Sequence, residues 1–497
     1  GSGSWRKIEV GDLPGVPETA FVNDIKADLF DAGTVYVALD NHKHGDFKPY
    51  LLKSTDRGRR WTSIAEDLPE RHLVWRLVQD HVDPELMFAG TEFGMFVTID
   101  GGEHWSKLAG NAPTISFRDL AIQRRENDLV GATFGRGFWI LDDYSALREI
   151  DAETLEQEAA LFDTRDALWY IQRTPLGNNE RGSQGHAMYL AENPPFGAVF
   201  TYHLAEGYKT LEAQRREKEK PLIKARDDVQ FPGWERIEAE RRQPDPTVLL
   251  TVRDSEGNVV RRLEGPTEKG MHRVAWDLRF PAPNAIGDSG GFGEPQGFMV
   301  MPGTYSVELA KRVDGEVTPL DGPREFEVVR MREGALEGAP PEETVAFWKR
   351  LSQMQRKVSA AGQVIEKTRE KLEAMTTALS RSTAEGGELD AELYAVSQRL
   401  YEMAEQLEGK ESMEQLNQPQ GPTIGQRMFV AMIGTARSTY GPTPTHKMSL
   451  EIAEEQFSEV RTELNQLVDQ RIPALEDALL AAGAPWMPGS PVPGAER

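Results

Sequence analysis

The sequence predicts a multidomain chain: the last blades of a β-propeller, then an Ig-like β-sandwich, then an α-helical bundle. Three observations predict it. The pattern [Ser/Thr]-x-Asp-x-Gly-x-x-Trp occurs at residues 54–61 and 98–105, with its tryptophans 44 positions apart, the period of one four-stranded blade. Short alternating strands punctuated by turn residues recur between residues 187 and 331. Beyond Pro340-Pro341, apolar residues fall at 3–4 spacing almost to the end. The expected divisions are residues 1–150 for the blades, 151–184 for a connector and 185–332 for the sandwich with a charged insertion at 206–243. Residues 340–482 form the antiparallel bundle and 483–497 a Pro-rich tail.

At 497 residues the chain is too long for one core, and about three domains are expected. A composition of 39% hydrophobic and 28% charged residues is that of a globular protein. No apolar run approaches the roughly 18 residues of a membrane span, so no membrane span is expected. The net charge of −23 excludes a nucleic-acid backbone as the main partner. With no cysteine there is neither disulfide nor thiol chemistry.

Three segments of the first 150 residues align. First strands are expected at 22–28, 74–80 and 116–123, second strands at 34–40, 86–92 and 128–134, and third strands at 50–54, 94–98 and 137–141. Fourth strands at 61–64 and 105–108 are led by Trp61 and Trp105, and residues 5–10 read as the fourth strand of an earlier unit. The repeated box is a turn whose chemistry explains its spacing. Ser54 and Thr98 open it, Asp56 and Asp100 accept backbone N–H groups, and Gly58 and Gly102 take backbone angles that other residues resist. Trp61 and Trp105 fold an apolar face back over it. It is a hairpin staple, not a catalytic or calcium site. The third unit follows its third strand with Asp142-Asp143-Tyr144 and lacks the box, so it ends without a fourth strand. Three units cannot close a ring of 4–8 blades. The remaining blades are the expected partner, from an N-terminal part of the same precursor or from a second chain.

The wording of these units is similar to that of a known group. The stretches NDIKADLFDAGTVYVALDNHKHGDFKPYLLKSTDRGRRWTSIAEDLP and ENDLVGATFGRGFWILDDYSALREI resemble large bacterial sortilin-like, BNR-repeat "glycosyl hydrolase" proteins. The resemblance extends to NPPFGAVFTYHL and to the ending APWMPG. It implies further propeller repeats ahead of this region and an extracellular, periplasmic or outer-surface location. The middle of the chain resembles the Ig-like domain of flagellar hook-capping proteins. The matching residues are the D-x-x-G-x-x-V-R run at 254–261, the G-x-H-x-V-x-W-D run at 270–277 and PGTY from Pro302. In that comparison Trp276 is core.

In a blade the loop between second and third strands opens opposite the box. That puts Asp40, His42, His44, Asp46, Phe47 and Lys48 on one face, with Glu92, Phe93 and Arg136 in equivalent places. Three readings stand side by side: a solvated loop; a glycan- or peptide-binding rim of His42, His44, Phe47, Lys48, Phe93 and Arg136; or metal binding by His42, His44 and Asp46. The order H-x-H-x-D matches no structural zinc spacing, so no metal and no cofactor is expected. A glycosidase needs two carboxylates about 5–9.5 Å apart, for which Asp40, Asp46 and Glu92 are the candidates. The leading expectation is a secreted or envelope-associated binding and scaffold protein; the alternative is a glycoside hydrolase with its acid and base in the propeller cleft.

Further on, residues 206–243 read as an exposed charged helix pair, 256–258 as a hairpin turn and 281–297 as a Gly/Pro-rich excursion. Helical seams run from Leu351 to Leu379, from Leu389 to Leu407 and from Leu450 to Leu467, with a short helix over 426–436 and a disturbance at Pro473. The first helix, near 35 residues, would be roughly 50 Å long. A seam left over after packing would serve an oligomer, and Trp486 would anchor the tail.

Overall fold

The computed structural model describes residues 6–172, 191–287, 295–332, 334 and 337–490. Trp5, the loop expected at 174–185, the start of the strand expected from 187, the middle of the 281–297 excursion and the last residues of the tail lie outside them.

Strands β1 (Phe21–Ala27), β2 (Val35–Asn41), β3 (Asp46–Ser54) and β4 (Thr62–Ser63) form an antiparallel sheet in chain order. Strands β5 (Val74–Gln79), β6 (Met87–Thr91), β7 (Gly94–Thr98) and β8 (Ser106–Lys107) repeat it, and β9 (Phe117–Gln123), β10 (Asp128–Thr133) and β11 (Phe138–Leu141) form a third sheet of three. Period-two alternation gives a strand two different faces, and here both faces of the middle sheet are apolar. Leu77, Ala89 and Phe96 pack against Tyr36, Ala38 and Leu51 of the first sheet, with Trp105 closing the same core. Phe88, Met95 and Val97 pack against Phe117, Leu120 and Leu129 of the third. Two glycines permit the close approach: a Cβ on Gly90 would stand 2.8 Å from the Phe117 carbonyl oxygen, and one on Gly131 2.8 Å from the Phe117 ring.

In both boxes side-chain oxygens accept backbone amides of the same turn. Asp56 accepts the amides of Arg59 and Arg60 at 2.8 Å, and Asp100 that of His104 at 2.9 Å. The Ser54 and Thr98 hydroxyls accept the amides of Gly58 and Gly102, whose φ values are 74° and 101°. The buried Trp105 donates its indole N–H to the Ile64 carbonyl at 2.7 Å, tying the second box to the first sheet. The fourth strands are only two residues each, shorter than expected. Residues 6–9 make no strand, against expectation. Arg6 instead donates to the Gly58 carbonyl at 2.6 Å, and Val10–Asp12 is a single 3₁₀ turn. Beyond that turn, Leu13, Val16 and Ala20 lie over Val37, Leu39 and Leu52 on the outer face of the first sheet.

The chain leaves the third sheet through a buried ionic knot. Asp80, in the turn after β5, accepts from the Tyr144 hydroxyl at 2.6 Å and from the Arg148 guanidinium at 2.8 and 2.9 Å. It also accepts the amides of Val82 and Asp83. Burial pushes the Asp80 carboxyl up, but these donors outweigh it and hold the group well below the usual carboxylate range.

Beyond helix α1 (Ala152–Glu156), strands β12 (Ala159–Leu161), β13 (Ala167–Trp169) and β14 (Ala198–Leu204) begin two further sheets. Helices α2 (Leu211–Ala225) and α3 (Trp234–Arg242) form the charged arm, clipped together by Arg215, whose guanidinium binds Glu219 and Glu240. Strands β15 (Thr247–Asp254), β16 (Val259–Gly265), β17 (Gly270–Trp276), β18 (Gly303–Val313) and β19 (Glu316–Arg330) complete sheets ordered β12-β14-β17 and β13-β19-β18-β15-β16. These face each other over a core in which Trp276 is fully buried, with Tyr305 and Phe326 edge-on to it. Gly257, at φ 82°, makes the expected turn between β15 and β16.

Helices α4 (Pro341–Leu379), α5 (Glu388–Glu408), α6 (Glu411–Gln415), α7 (Ile424–Ala436), α8 (Pro444–Gln466) and α9 (Ile472–Ala481) follow. At 39 residues α4 is about 58 Å long. The seam residues Leu351, Ile365, Leu400, Phe457 and Leu464 share one core, and that core is continuous with the sheets, where Trp348 of α4 stacks on Phe298 at 5.8 Å. A widened turn at Leu467–Arg471 precedes Pro473 and puts it in the first turn of α9, where a missing N–H costs little. Among the described residues of the tail, Met487 and Ser490 are buried, whereas Trp486 is half exposed.

Two outcomes follow from these cores. Asp80→Ala leaves the Arg148 guanidinium without its carboxylate and lowers stability by about 3–5 kcal/mol in denaturant titration. Because the Asp80 pKa is depressed in the folded state, its contribution is present above the unfolded value near about 3.9 and is lost as pH falls toward the folded one. Asp80→Asn therefore flattens the acid limb of the stability–pH curve. Trp276→Ala costs about 3–5 kcal/mol in the same titration.

Candidate ligand face

Strand register sorts the turns of the first three sheets to two ends. Phe21 lies opposite Asp40, Val74 opposite Thr91 and Phe117 opposite Thr133. The starts of β1, β5 and β9 therefore share one end with the β2–β3, β6–β7 and β10–β11 turns. Ser54 pairs with Val35 and Thr98 with Met87, which puts the boxes at the other end.

At the first end a cleft of about 160 Å³ opens between the sheets. His42 and Phe47 line it from the first sheet, Arg118 from the third, and Arg71, Leu73, Trp75, Glu92 and Phe93 from the second unit. Trp75 is its centre. The ring carries the Arg118 guanidinium 3.6 Å from its centroid and the His42 imidazole edge-on at 5.8 Å, while its Nε1–H donates to Glu92 Oε2 at 2.9 Å. Arg71 lies 5.8 Å over Phe47, and His72 meets Phe93 edge-on at 5.5 Å. Beside the cleft, Phe21 carries the Lys43 ammonium at 4.4 Å and stacks on His44. Cations are held over ring faces by the aromatic quadrupole. None of Lys43, Lys48, Arg71, Arg118 and Arg136 has a carboxylate within ion-pair distance among the described residues.

The carboxylates at this end are each engaged. Asp40 is buried and accepts from the His42 ring and, at 3.3 Å, from the His42 amide. Asp46 accepts the Tyr50 phenol at 2.5 Å and the Lys48 amide at 3.2 Å. Burial raises the Asp46 pKa, but those bonds and the Lys48 charge prevail and hold it below the usual carboxylate value. Glu92 is fixed by Trp75. Of the residues singled out in the sequence, His42, Phe47, Glu92 and Phe93 meet in the cleft, with Asp40 behind His42. His44 stands beside it on Phe21. Lys48 and Arg136 lie on the same end but do not line the cleft.

Sequence reasoning missed Trp75, Arg118 and Arg71. Trp75 and Arg118 hold the same place in successive first strands, the place of Asn23 in the first unit, so the repeat alignment carried a signal for them. Arg71 comes from the connection before β5 with a φ of 70°, and no pattern marks it. At the opposite end, ligand atoms of Asp100, Glu103 and His104 lie within 4.8 Å of one another, but Asp100 is already occupied by the box and by His104.

No family model matches the chain, and no curated protein matches it. Among solved structures, it is similar to the GH74 xyloglucanase from Xanthomonas campestris at 14% identity, over 61% of this chain and 38% of that one, with a TM-score of 0.21. It is similar to the extracellular domain of the one component system BT4673 from B. thetaiotaomicron at 14% identity, over 66% and 38%, with a TM-score of 0.21. It is also similar to the beta-propeller domain of Myceliophteria thermophila Cps50 (Swd1) at 15% identity, over 29% and 50%, with a TM-score of 0.21. The match thus spans half or less of each of these chains, and likeness at such scores adds nothing to the geometry above.

The Asp46–Tyr50 pair is open to direct measurement. Burial, then the adjoining Asp46 carboxylate, push the Tyr50 phenol well above its ordinary value. Asp46→Asn removes the charge, so the ultraviolet phenolate titration of the variant shows one tyrosine moved to lower pH relative to the wild type.

Proposed function

We propose that the first three sheets are the last blades of a β-propeller, that residues 185–332 form an Ig-like sandwich with a charged arm, and that residues 340–482 form an antiparallel bundle. On this reading the protein is a secreted or envelope-associated binding and scaffold protein of a bacterium. The blades present a ligand face made by His42, His44, Phe47, Lys48, Phe93 and Arg136 together with Trp75, Arg71 and Arg118. The bundle and sandwich, which share one core, carry that face and dock to a partner or a second copy.

The observation that carries the reading is the unpaired cations. In a chain of net charge −23, five lysines and arginines stand at one end of three sheets with no carboxylate within ion-pair distance among the described residues, and three of them are seated on aromatic rings. A ring already covered by a guanidinium is not free to stack on a neutral sugar. What it does is hold the guanidinium in one orientation, ready for a bidentate bond to a carboxylate. The ligand is therefore an anionic glycan or peptide, with Glu92 Oε1 left to accept from a hydroxyl or amide.

The alternative, a glycoside hydrolase, needs a protonated carboxyl as general acid. Asp46 is displaced the wrong way for that role, and Asp40 and Glu92 are each engaged by a neighbour. This favours binding over turnover.

Calorimetry with polygalacturonate, poly-glutamate and neutral dextran tests the proposal. One of the two anionic polymers should bind and dextran should not. Arg118→Gln and Arg71→Gln should each weaken binding about tenfold, or about 1.4 kcal/mol, and added salt should weaken it further. Release of sugar from any of these polysaccharides, abolished by Glu92→Gln, would establish the hydrolase instead.

A further inference from the structure

The face of the third sheet turned away from the second is built like a buried face. By register, Asp119, Ala132 and Phe138 stand side by side on it, and Ala121, Val130 and Ile140 form the next row. The corresponding rows of the second sheet are Arg76, Gly90 and Met95, then Val78, Phe88 and Val97. There Met95 and Val97 are 4% and 9% exposed, because the third sheet covers them. In the third sheet the same two places carry Phe138 and Ile140, which are 75% and 58% exposed.

A row of charge runs along the same edge. Asp24, Arg76 and Asp119 hold one place in the three successive first strands. Arg76 reaches back to Asp24 at 3.0 Å and forward to Asp119 at 2.7 Å, and the Asp24 carboxylate also accepts the Leu77 amide at 3.1 Å. The order is acid, base, acid. Asp119 ends it with its side chain 60% exposed and Arg76 on one side only.

We infer that this face docks a further β-sheet, supplied by polypeptide outside these 497 residues, whose innermost strand places an arginine or lysine beside Asp119 and whose aliphatic side chains cover Phe138 and Ile140. The inference rests on reading the sheets as blades and adds the chemistry of the contact. It continues two interfaces already present, first sheet to second and second to third, in both apolar row and charge row. A second copy of the chain does not fit. Docked through this same face, a second copy would offer Asp119, Ala132, Phe138, Ala121, Val130 and Ile140, none of which is the cation that Asp119 calls for, and the outer face of the first sheet is already covered by Leu13, Val16 and Ala20.

The test uses the protein in its own cell with Phe138 replaced by photoreactive p-benzoyl-phenylalanine. The crosslinked peptide should be a β-strand, and the strand beside Asp119 should carry an arginine or lysine. Asp119→Arg should cut the crosslink about tenfold, as like charges now meet. Changing the partner cation to aspartate in that background should restore it. A crosslink to a β-strand that survives Asp119→Arg overturns the charge row and leaves the blade reading standing. A crosslink to a second copy, to a helix, or none at all while Phe138 is open to radical labelling in the native assembly, overturns both.

Discussion

Asp80 has no exposed surface and five donors around it, and the path of the chain out of the first 150 residues depends on it. Two of those donors belong to its own turn, so the second sheet alone fixes where the carboxylate stands. The other three come from Tyr144 and Arg148, in the segment that leaves the third sheet. Arg148 also reaches the Asn127 side chain at 2.8 Å, which closes the knot around the β9–β10 turn. A charge that deep is tolerated only because every lone pair is answered. Once Tyr144 is held there, the carbonyls of Asp142 and Asp143 point outward and accept the Arg273 guanidinium of β17 at 2.6 and 2.5 Å. One buried carboxylate thus sets the departure of the chain and the place where the following sheets attach.

Much of the architecture was legible because it is local. The box is written in eight residues, and the bonds that Ser54, Asp56, Thr98 and Asp100 accept join residues within four positions of each other. The short apolar runs of β6 and β7 and the 3–4 spacing at Leu393, Val396, Leu400 and Met403 are equally local, and those residues are buried. The strand expected over residues 5–10 was not legible. Ile8 and Val10 alternate well enough, but Arg6 is engaged by the Gly58 carbonyl and Val10–Asp12 closes a 3₁₀ turn. The cleft was legible only in half. His42, Glu92 and Phe93 lie in turns that alignment identifies, whereas the stack of Arg118 on Trp75 needs two sheets to converge, and no spacing within one strand records that.

The sheets and helices beyond residue 151 carry a different lesson. Pattern analysis separates a β region from a helical one at residues 333–340, and the change of period there is real. The buried core ignores it: Phe298 stacks on Trp348, and Val300 lies in the same cluster as Leu351. Periodicity reports which face of an element is apolar, not which neighbour covers it. Helix α4 is therefore not held by helices alone, and its first turns are as much a part of the sheet core as of the bundle seam.

The two ends of the first three sheets do different work for a physical reason. At the box end the carboxylates are spent inside each turn: Asp56 and Asp100 have amides and hydroxyls of their own. At the other end the turns are held partly by aromatic rings, and a ring under a cation leaves the guanidinium N–H groups unspent. Arg118 illustrates the difference. Its charge is steadied by Trp75 and Phe134 at 3.6 and 5.5 Å, neither of which accepts its five donors in the plane. Trp75 in turn is pinned by Glu92, so the acid acts on the arginine through the indole and not by neutralising it. That separation of holding from neutralising keeps a positive group fixed and available on a strongly acidic chain.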